Sequence, residues 1–198
     1  MKGILFKPDM IRAIIEGRKT QTRRVIKPQP KYIIDQHYIT LNGLTSLHIQ
    51  ADNLISRKAL YQSGETVYIK EAWRTEAVYD RTPPCDIGDS ALIEYRLLPN
   101  EILSQIMGRW RSPLHLPRWA ARYFIKILDV RAERLQEITE EDAKAEGILP
   151  EGTLLPDFIH SADNPVEQFA QLWDSVNKDY PWESNPWVFI YTFELKRK

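Results

Sequence analysis

The chain has a single cysteine, Cys85, which excludes an internal disulfide and any cysteine-built zinc cluster. Its four histidines (His37, His48, His115 and His160) are scattered without metal-ligand spacing, so neither a metal nor a cofactor is expected. No apolar run approaches the length that spans a bilayer, and the opening residues lack a signal-peptide core, which makes a cytoplasmic protein the expectation. There is no overall excess of charge either, since 27 Lys and Arg balance 27 Asp and Glu. Internal repeats, low-complexity tracts and linkers are also missing. What is present suits a packed core: 43% hydrophobic residues, with 6 Trp, 9 Tyr and 6 Phe in 198 residues. The expectation is one domain over 1–198, with insertions at about 28–63 and 76–120.

The balanced total conceals segregation along the chain. Residues 12–31 hold seven basic side chains against Glu16 alone, and residues 108–126 hold five with no acid. Residues 129–183 hold fourteen acids against four bases. Two outcomes follow from this pattern. The basic segments build a local positive field suited to a phosphate-bearing partner, or they pair in space with the acidic one.

Periodicity and punctuation give an alternating order of strands and short helices. Gly3–Phe6 reads as a buried strand. Pro8 opens a helix whose apolar stripe runs from Met10 to Ile15 and whose stop is Gly17. The basic run Arg18–Arg24 is therefore placed on a turn. Residues 28–63 read as a hairpin-like excursion with alternation at Tyr32–Ile34 and Tyr38–Leu41. Thr66–Trp73 is a strand, residues 76–107 are loop-rich with a strand at Ala91–Tyr95, and Arg122–Leu135 is a long β segment. Thr139 with Asp142 resembles a capping box for a helix ending at Gly147. Asn164–Pro165 caps another helix carrying Phe169, Leu172, Trp173 and Val176, and Trp187–Leu195 closes as a strand. The class is α+β, expected as a small mixed β-barrel with flanking short helices.

Three features bear on chemistry. In Gly17–Arg24, Lys19 and Thr22 lie three apart, a spacing at which an ammonium and a hydroxyl form a nucleophile pair or a phosphate clamp; the alternative is a solvated basic turn. Strand alternation puts Val67, Ile69, Glu71 and Trp73 on one face. If that face is the core, Glu71 is a buried carboxylate that must find a cation, with Lys19 and Arg24 as candidates. A Lys19–Glu71 recess of this kind positions a water or activates Thr22; the competing reading is a structural ion pair. Third, Arg109–Trp119 alternates arginine with tryptophan between prolines. Arg111 and Arg118 suit phosphates, and Trp110 and Trp119 suit base stacking, with one of the two indoles expected to close the core. The acidic turns near Thr139 and Asn164 read as solvated caps without a functional role.

Gly17-x-Lys19-x-x-Thr22-x-Arg24 is similar to the GxKxxTxR signature of ASCH domains, members of the PUA-like superfamily. Gly64-Glu65 leading to Ile69-Lys70-Glu71-Ala72-Trp73 resembles that family's second block. Pro117–Arg122, Ile138–Ala143 and Asn185–Val188 resemble blocks of a phage- and prophage-associated branch. The resemblance implies a β-barrel with a cleft lined by the Gly17–Arg24 turn and the Glu71 strand. It also implies RNA-linked roles, or hydrolysis of acetylated cytidine by a Lys, a Thr and a Glu, which map onto Lys19, Thr22 and Glu71. This chain is about twice as long as those short enzymes.

Three functions are therefore carried forward. The first is an RNA, single-stranded nucleic-acid or modified-nucleoside binder with a basic cleft, using Arg18, Arg23, Arg24, Arg111, Arg118, Trp110 and Trp119. The second is a hydrolase, an amidohydrolase on acetylated cytidine or a ribonuclease, using Lys19, Thr22 and Glu71. The third is a phage-derived interaction module whose acidic 129–183 region meets a protein partner.

Overall fold

The computed structural model of the protein describes residues 1–30, 32–35, 38–40, 49–50, 58–97, 99, 105–148 and 164–197. The architecture is α+β, with short helices around a mixed sheet, and no closed barrel is formed among the described residues. Part of each expected insertion, and residues 149–163 of the acidic region, lie outside the described residues. The chain divides into two compact units. One comprises Met1–Arg12, Thr66–Lys126 and Leu195–Lys198, and the other Ala13–Glu65 and Ile127–Glu194.

In the first unit, β1 (Gly3–Leu5) runs parallel to β6 (Thr66–Lys70), with Ile4 opposite Ile69. β6 also pairs antiparallel with the start of β9 (Tyr123–Arg134), where Val67 faces Ile125. All four of these residues share one face of the sheet and are buried. A two-residue ladder follows, β7 (Trp73–Arg74) with β8 (Glu94–Tyr95); only this end of the Ala91–Tyr95 segment is strand. Trp73, Ile87, Leu116, Ala120 and Ala121 pack with Tyr68 as the local core. Fully burying such a side chain stabilises by roughly 1.5–3 kcal/mol.

In the second unit, β2 (Gln21–Val25) lies antiparallel to β10 (Trp187–Arg197), with Thr22 opposite Tyr191 and Arg24 opposite Phe189. The basic run was expected on a turn, and this is a correction. The turn is confined to Glu16 and Gly17, Lys19 forms an isolated bridge, and Thr22 and Arg24 lie on a strand. Of the five residues only Thr22 and Val25 favour a strand by themselves, but the β10 backbone needs a partner, and pairing overrides local propensity. The excursion is hairpin-like as read: β3 (Tyr32–Asp35), β4 (Tyr38–Thr40) and β5 (Ile49–Gln50) pair in that order. Its expected residue Leu41 lies outside the described residues.

Helix α1 (Pro8–Ile15) and helix α2 (Glu140–Ala145) end in the same way. Gly17 and Gly147 both take left-handed backbones, with φ of 78° and 93°. Arg18 N–H donates to the Ala13 carbonyl and Gly17 N–H to Ile14; Ile148 N–H donates to Ala143 and Gly147 N–H to Lys144. These are paired Schellman bonds, which satisfy the last carbonyls of each helix. Helix α3 (Pro165–Val176) is capped by the Asn164 side chain, which accepts the Val166 N–H. Its Phe169 and Trp173 join Leu135, Val188 and Ile190 in the second core.

Candidate functional site

The second unit holds the basic signature. After the Gly17 turn, Lys19 forms an antiparallel bridge with Glu146, just past the end of α2. Thr20 N–H donates to the Ala145 carbonyl and Phe193 N–H to Thr20, which fixes the segment on both sides. Lys19 is 1% exposed, and its Nζ donates to Glu146 Oε2 at 2.6 Å and to the Glu146 carbonyl at 2.7 Å. Arg23 Nη1 reaches Glu146 Oε1 at 3.1 Å and its Nη2 reaches Asp142 Oδ2 at 2.9 Å. Arg131 Nη2 closes the chain on Asp142 Oδ1 at 3.1 Å.

Two periodicities assemble this network. On β2, alternation puts Arg23 on one face of the strand and Thr22 and Arg24 on the other. On α2 and its last turn, Asp142 and Glu146 are four apart and share a face. Thr139 Oγ1 accepts the Asp142 N–H at 3.1 Å, as a capping box requires, but the Asp142 carboxylate turns to the arginines. So the acidic cap read as solvated is the counter-charge of the basic segment, a second correction. Of the two outcomes left open for the segregated charges, pairing holds for Lys19, Arg23, Asp142 and Glu146.

The electrostatics follow from burial. Desolvation lowers the Lys19 pKa below its usual value, more than the attraction of Glu146 raises it. Asp142 is driven the other way: burial would raise its pKa, but Arg23 and Arg131 together hold it below the usual carboxylate range. Arg24 is lowered by burial, partly offset by Tyr61 and Glu146. Arg18 pairs at the surface with Glu16, a contact of small energetic weight. Thr22 is buried in the β2–β10 ladder.

The first unit holds Glu71, buried to 2% exposure as the strand alternation requires. Its cation is neither Lys19 nor Arg24. Arg122 Nε donates to Glu71 Oε1 and Arg122 Nη2 to Oε2, both at 2.8 Å, a two-pronged pair. Arg122 Nη2 also donates to the Leu97 carbonyl at 2.5 Å. Its guanidinium lies over the Tyr95 ring at 4.2 Å and the Tyr123 ring at 4.8 Å from the centroids. Burial would lower the Arg122 pKa, but the hydrogen bonds and charge of Glu71 raise it. Tyr95, whose hydroxyl donates to the Ala120 carbonyl, is pushed up to about 12 by burial and the Glu71 charge, against Arg122. Lys19 and Glu71 thus sit in separate compact units, each with its own counter-ion.

A cleft of about 420 Å³ is lined by Asp89, Ile93, Tyr95, Trp119, Ala120, Ala121, Arg122 and Tyr123. Trp119 both packs on the core and lines this cleft. Arg118 is exposed next to it. Trp110 is half-buried, with Arg74 and Arg96 over its ring. Arg111 is buried: it donates to the carbonyls of Thr82 and Tyr79 and lies over Trp73, the bonding of a structural arginine.

Sequence reasoning missed Glu146, Asp142, Arg122, Tyr95 and Tyr123. The i, i+4 acidic pair on a helix otherwise packed by Ala143 was a usable signal for the first two. Nothing local marks Tyr95, which enters the cleft through pairing with Trp73. Among the described residues no group of three or more His, Cys, Asp or Glu is placed to hold a metal, and no helix is long and apolar enough to cross a membrane.

No family model matches the sequence, and no curated protein matches it. Among solved structures, the crystal structure of protein EF3133 from Enterococcus faecalis V583, of the DUF984 family, is similar at 12% identity and a TM-score of 0.39. That likeness covers 94% of this chain and 66% of the other, so the chain spans just under two thirds of that protein's length.

Proposed function

We propose that this chain is an ASCH-type domain of the PUA-like superfamily that holds a base of single-stranded RNA, or of a modified nucleoside, in the Tyr95–Trp119–Tyr123 cleft. The mixed sheet with short flanking helices and the sequence signatures support the family reading. The observation that carries the function is the cleft itself. Three aromatic side chains and a fixed guanidinium line a volume in the range of small-molecule sites. Every base has a π face, and stacking on aromatic side chains contributes about 1–3 kcal/mol per base. A cation already sits over two of the three rings, which disfavours a cationic guest and favours a neutral planar one. Asp89 on the rim offers an acceptor for a base N–H, and exposed Arg118 offers donors to a neighbouring phosphate.

The test is titration of free nucleosides and a labelled single-stranded RNA against wild-type protein and Trp119→Ala. Loss of nucleoside binding in the variant supports the reading, as does RNA affinity that falls with added salt. Nucleoside binding that survives Trp119→Ala, or RNA affinity flat in salt, removes it.

A further inference from the structure

Trp110 stands outside the cleft, yet it is the most heavily cation-coated ring of the first unit's surface loops. The Arg74 guanidinium carbon lies 4.5 Å from its centroid and that of Arg96 lies 5.8 Å away. Both arginines come from the β7–β8 ladder. Arg74 stands opposite Glu94, and Trp73 opposite Tyr95. Arg96 N–H donates to the Ala72 carbonyl at 2.9 Å, which extends the pairing by one position. Alternation then puts Glu94, Arg96 and Arg74 on one face of the ladder and Tyr95 on the other, toward the cleft.

The two arginines differ in how their charge is balanced. Arg74 Nε donates to Glu94 Oε2 at 2.6 Å, and Glu94 is 3% exposed, so a buried acid neutralises it. Arg96 is exposed, and among the described residues its guanidinium has no ion pair or hydrogen bond. The indole face is its neighbour. Exposed Arg109, next to Trp110 in the chain, adds further positive charge.

A cation–π contact uses no hydrogen-bond acceptor, so it leaves guanidinium N–H groups for another partner. Seating Arg96 on Trp110 therefore restricts a long side chain while leaving donors available. Such a fork matches the paired oxygens of a phosphodiester. Resting on the reading of the cleft given above, we infer that Arg96 on Trp110, flanked by Arg74, is a phosphodiester-binding station for the same single strand whose base enters beside Tyr95. Tyr95 and Arg96 start from adjacent Cα atoms, about 3.8 Å apart, and leave the strand on opposite faces. A nucleic-acid strand crossing the end of this short ladder then places a base on one side and a phosphate on the other.

The experiment follows a 5′-fluorescein oligouridine decamer by anisotropy across a salt series, and free uridine and cytidine by calorimetry. The proteins are wild type, Arg96→Gln, Arg96→Lys and Trp119→Ala. Arg96 is exposed and, among the described residues, makes no ion pair, so its substitution leaves folding intact, which circular dichroism checks. Arg96→Gln is expected to weaken decamer binding about three- to tenfold and to flatten the log–log salt slope by about 0.7, one phosphate on a single strand. Arg96→Lys keeps the slope but not the full affinity, and nucleoside binding is unchanged in both. An Arg96→Gln slope equal to wild type, with Trp119→Ala still losing nucleosides, overturns the station and leaves the cleft standing. Failure of wild type to bind the decamer at low salt also overturns it, and failure to bind nucleosides as well takes the cleft with it. Arg96-dependent binding of polyglutamate in place of the decamer would assign this face to an acidic peptide and overturn the phosphodiester reading.

Discussion

Lys19 donates to Glu146 twice, through the side-chain carboxylate at 2.6 Å and through the backbone carbonyl at 2.7 Å. One ammonium thus neutralises a buried acid and caps the end of the helix that carries it. Because the same carboxylate also accepts from Arg23, Glu146 is the node of the network and Lys19 a branch.

This asymmetry sets the order of destabilisation. Glu146→Ala leaves buried Lys19 without its acid and Arg23 with Asp142 alone, and is expected to cost about 3–5 kcal/mol in urea unfolding. Lys19→Met leaves Glu146 paired with Arg23 and costs less. Equal losses in the two variants would show that the second arm carries no weight.

Asp142 adds an acid-range dependence. Its folded pKa lies below its ordinary value despite burial, because Arg23 and Arg131 face it. Its contribution to stability is therefore complete above the ordinary carboxylate pKa and disappears as pH falls through the lower folded value. Asp142→Asn removes that component, so unfolding free energy in the variant declines less steeply on acidification. Parallel curves for the two proteins would refute the assignment.

In the first unit, Arg122→Ala strands Glu71 as a buried carboxylate and is expected to cost about 3–5 kcal/mol. Arg122→Lys restores charge but neither the two-pronged geometry nor the contact over both tyrosine rings, so it recovers only part of the loss. Thermal unfolding of the pair, with Glu71→Gln as a third protein, reads the difference. Full recovery by lysine would mean that only net charge matters there.

Tyr95 gives an alkaline signature. Its pKa is raised to about 12, so the unfolded chain loses this proton first. Its contribution to stability is intact below the ordinary tyrosine value of 10.0 and is lost as pH climbs toward 12. Ultraviolet titration of tyrosinate is expected to show one late-ionising group fewer in Tyr95→Phe, and the variant's stability to fall less between those limits. An unchanged late phase would place the raised group elsewhere.

Gly147→Ala is expected to destabilise by at least about 1–2 kcal/mol, the cost of a left-handed backbone for an L residue. A Cβ there would also come within 3.1 Å of the Lys19 Cβ. Chemical unfolding of this variant beside Gly88→Ala, where the added carbon meets only the Ser90 hydroxyl at 3.7 Å, isolates the effect.

The sequence alone was enough to find the elements that rest on periodicity and stop signals. Helix α1 with its Gly17 stop, β6 with buried Glu71 just past its end, β9, β10 and the capped α3 can all be read from local pattern, because each is fixed by neighbours within a few positions. That Glu71 is a buried acid in need of a cation was likewise legible, since alternation dictates burial and burial dictates pairing.

Which cation it takes was not legible. A carboxylate accepts from any guanidinium the fold brings within reach, and Arg122 arrives 51 positions later through strand pairing. Likewise Lys19 finds Glu146 across 127 positions, and the basic run becomes strand rather than turn because β10 requires a partner. Local chemistry settles which groups must be satisfied. Only the tertiary structure decides by whom, because ion pairs and edge strands are specified by proximity, and proximity between distant segments leaves no mark on either one.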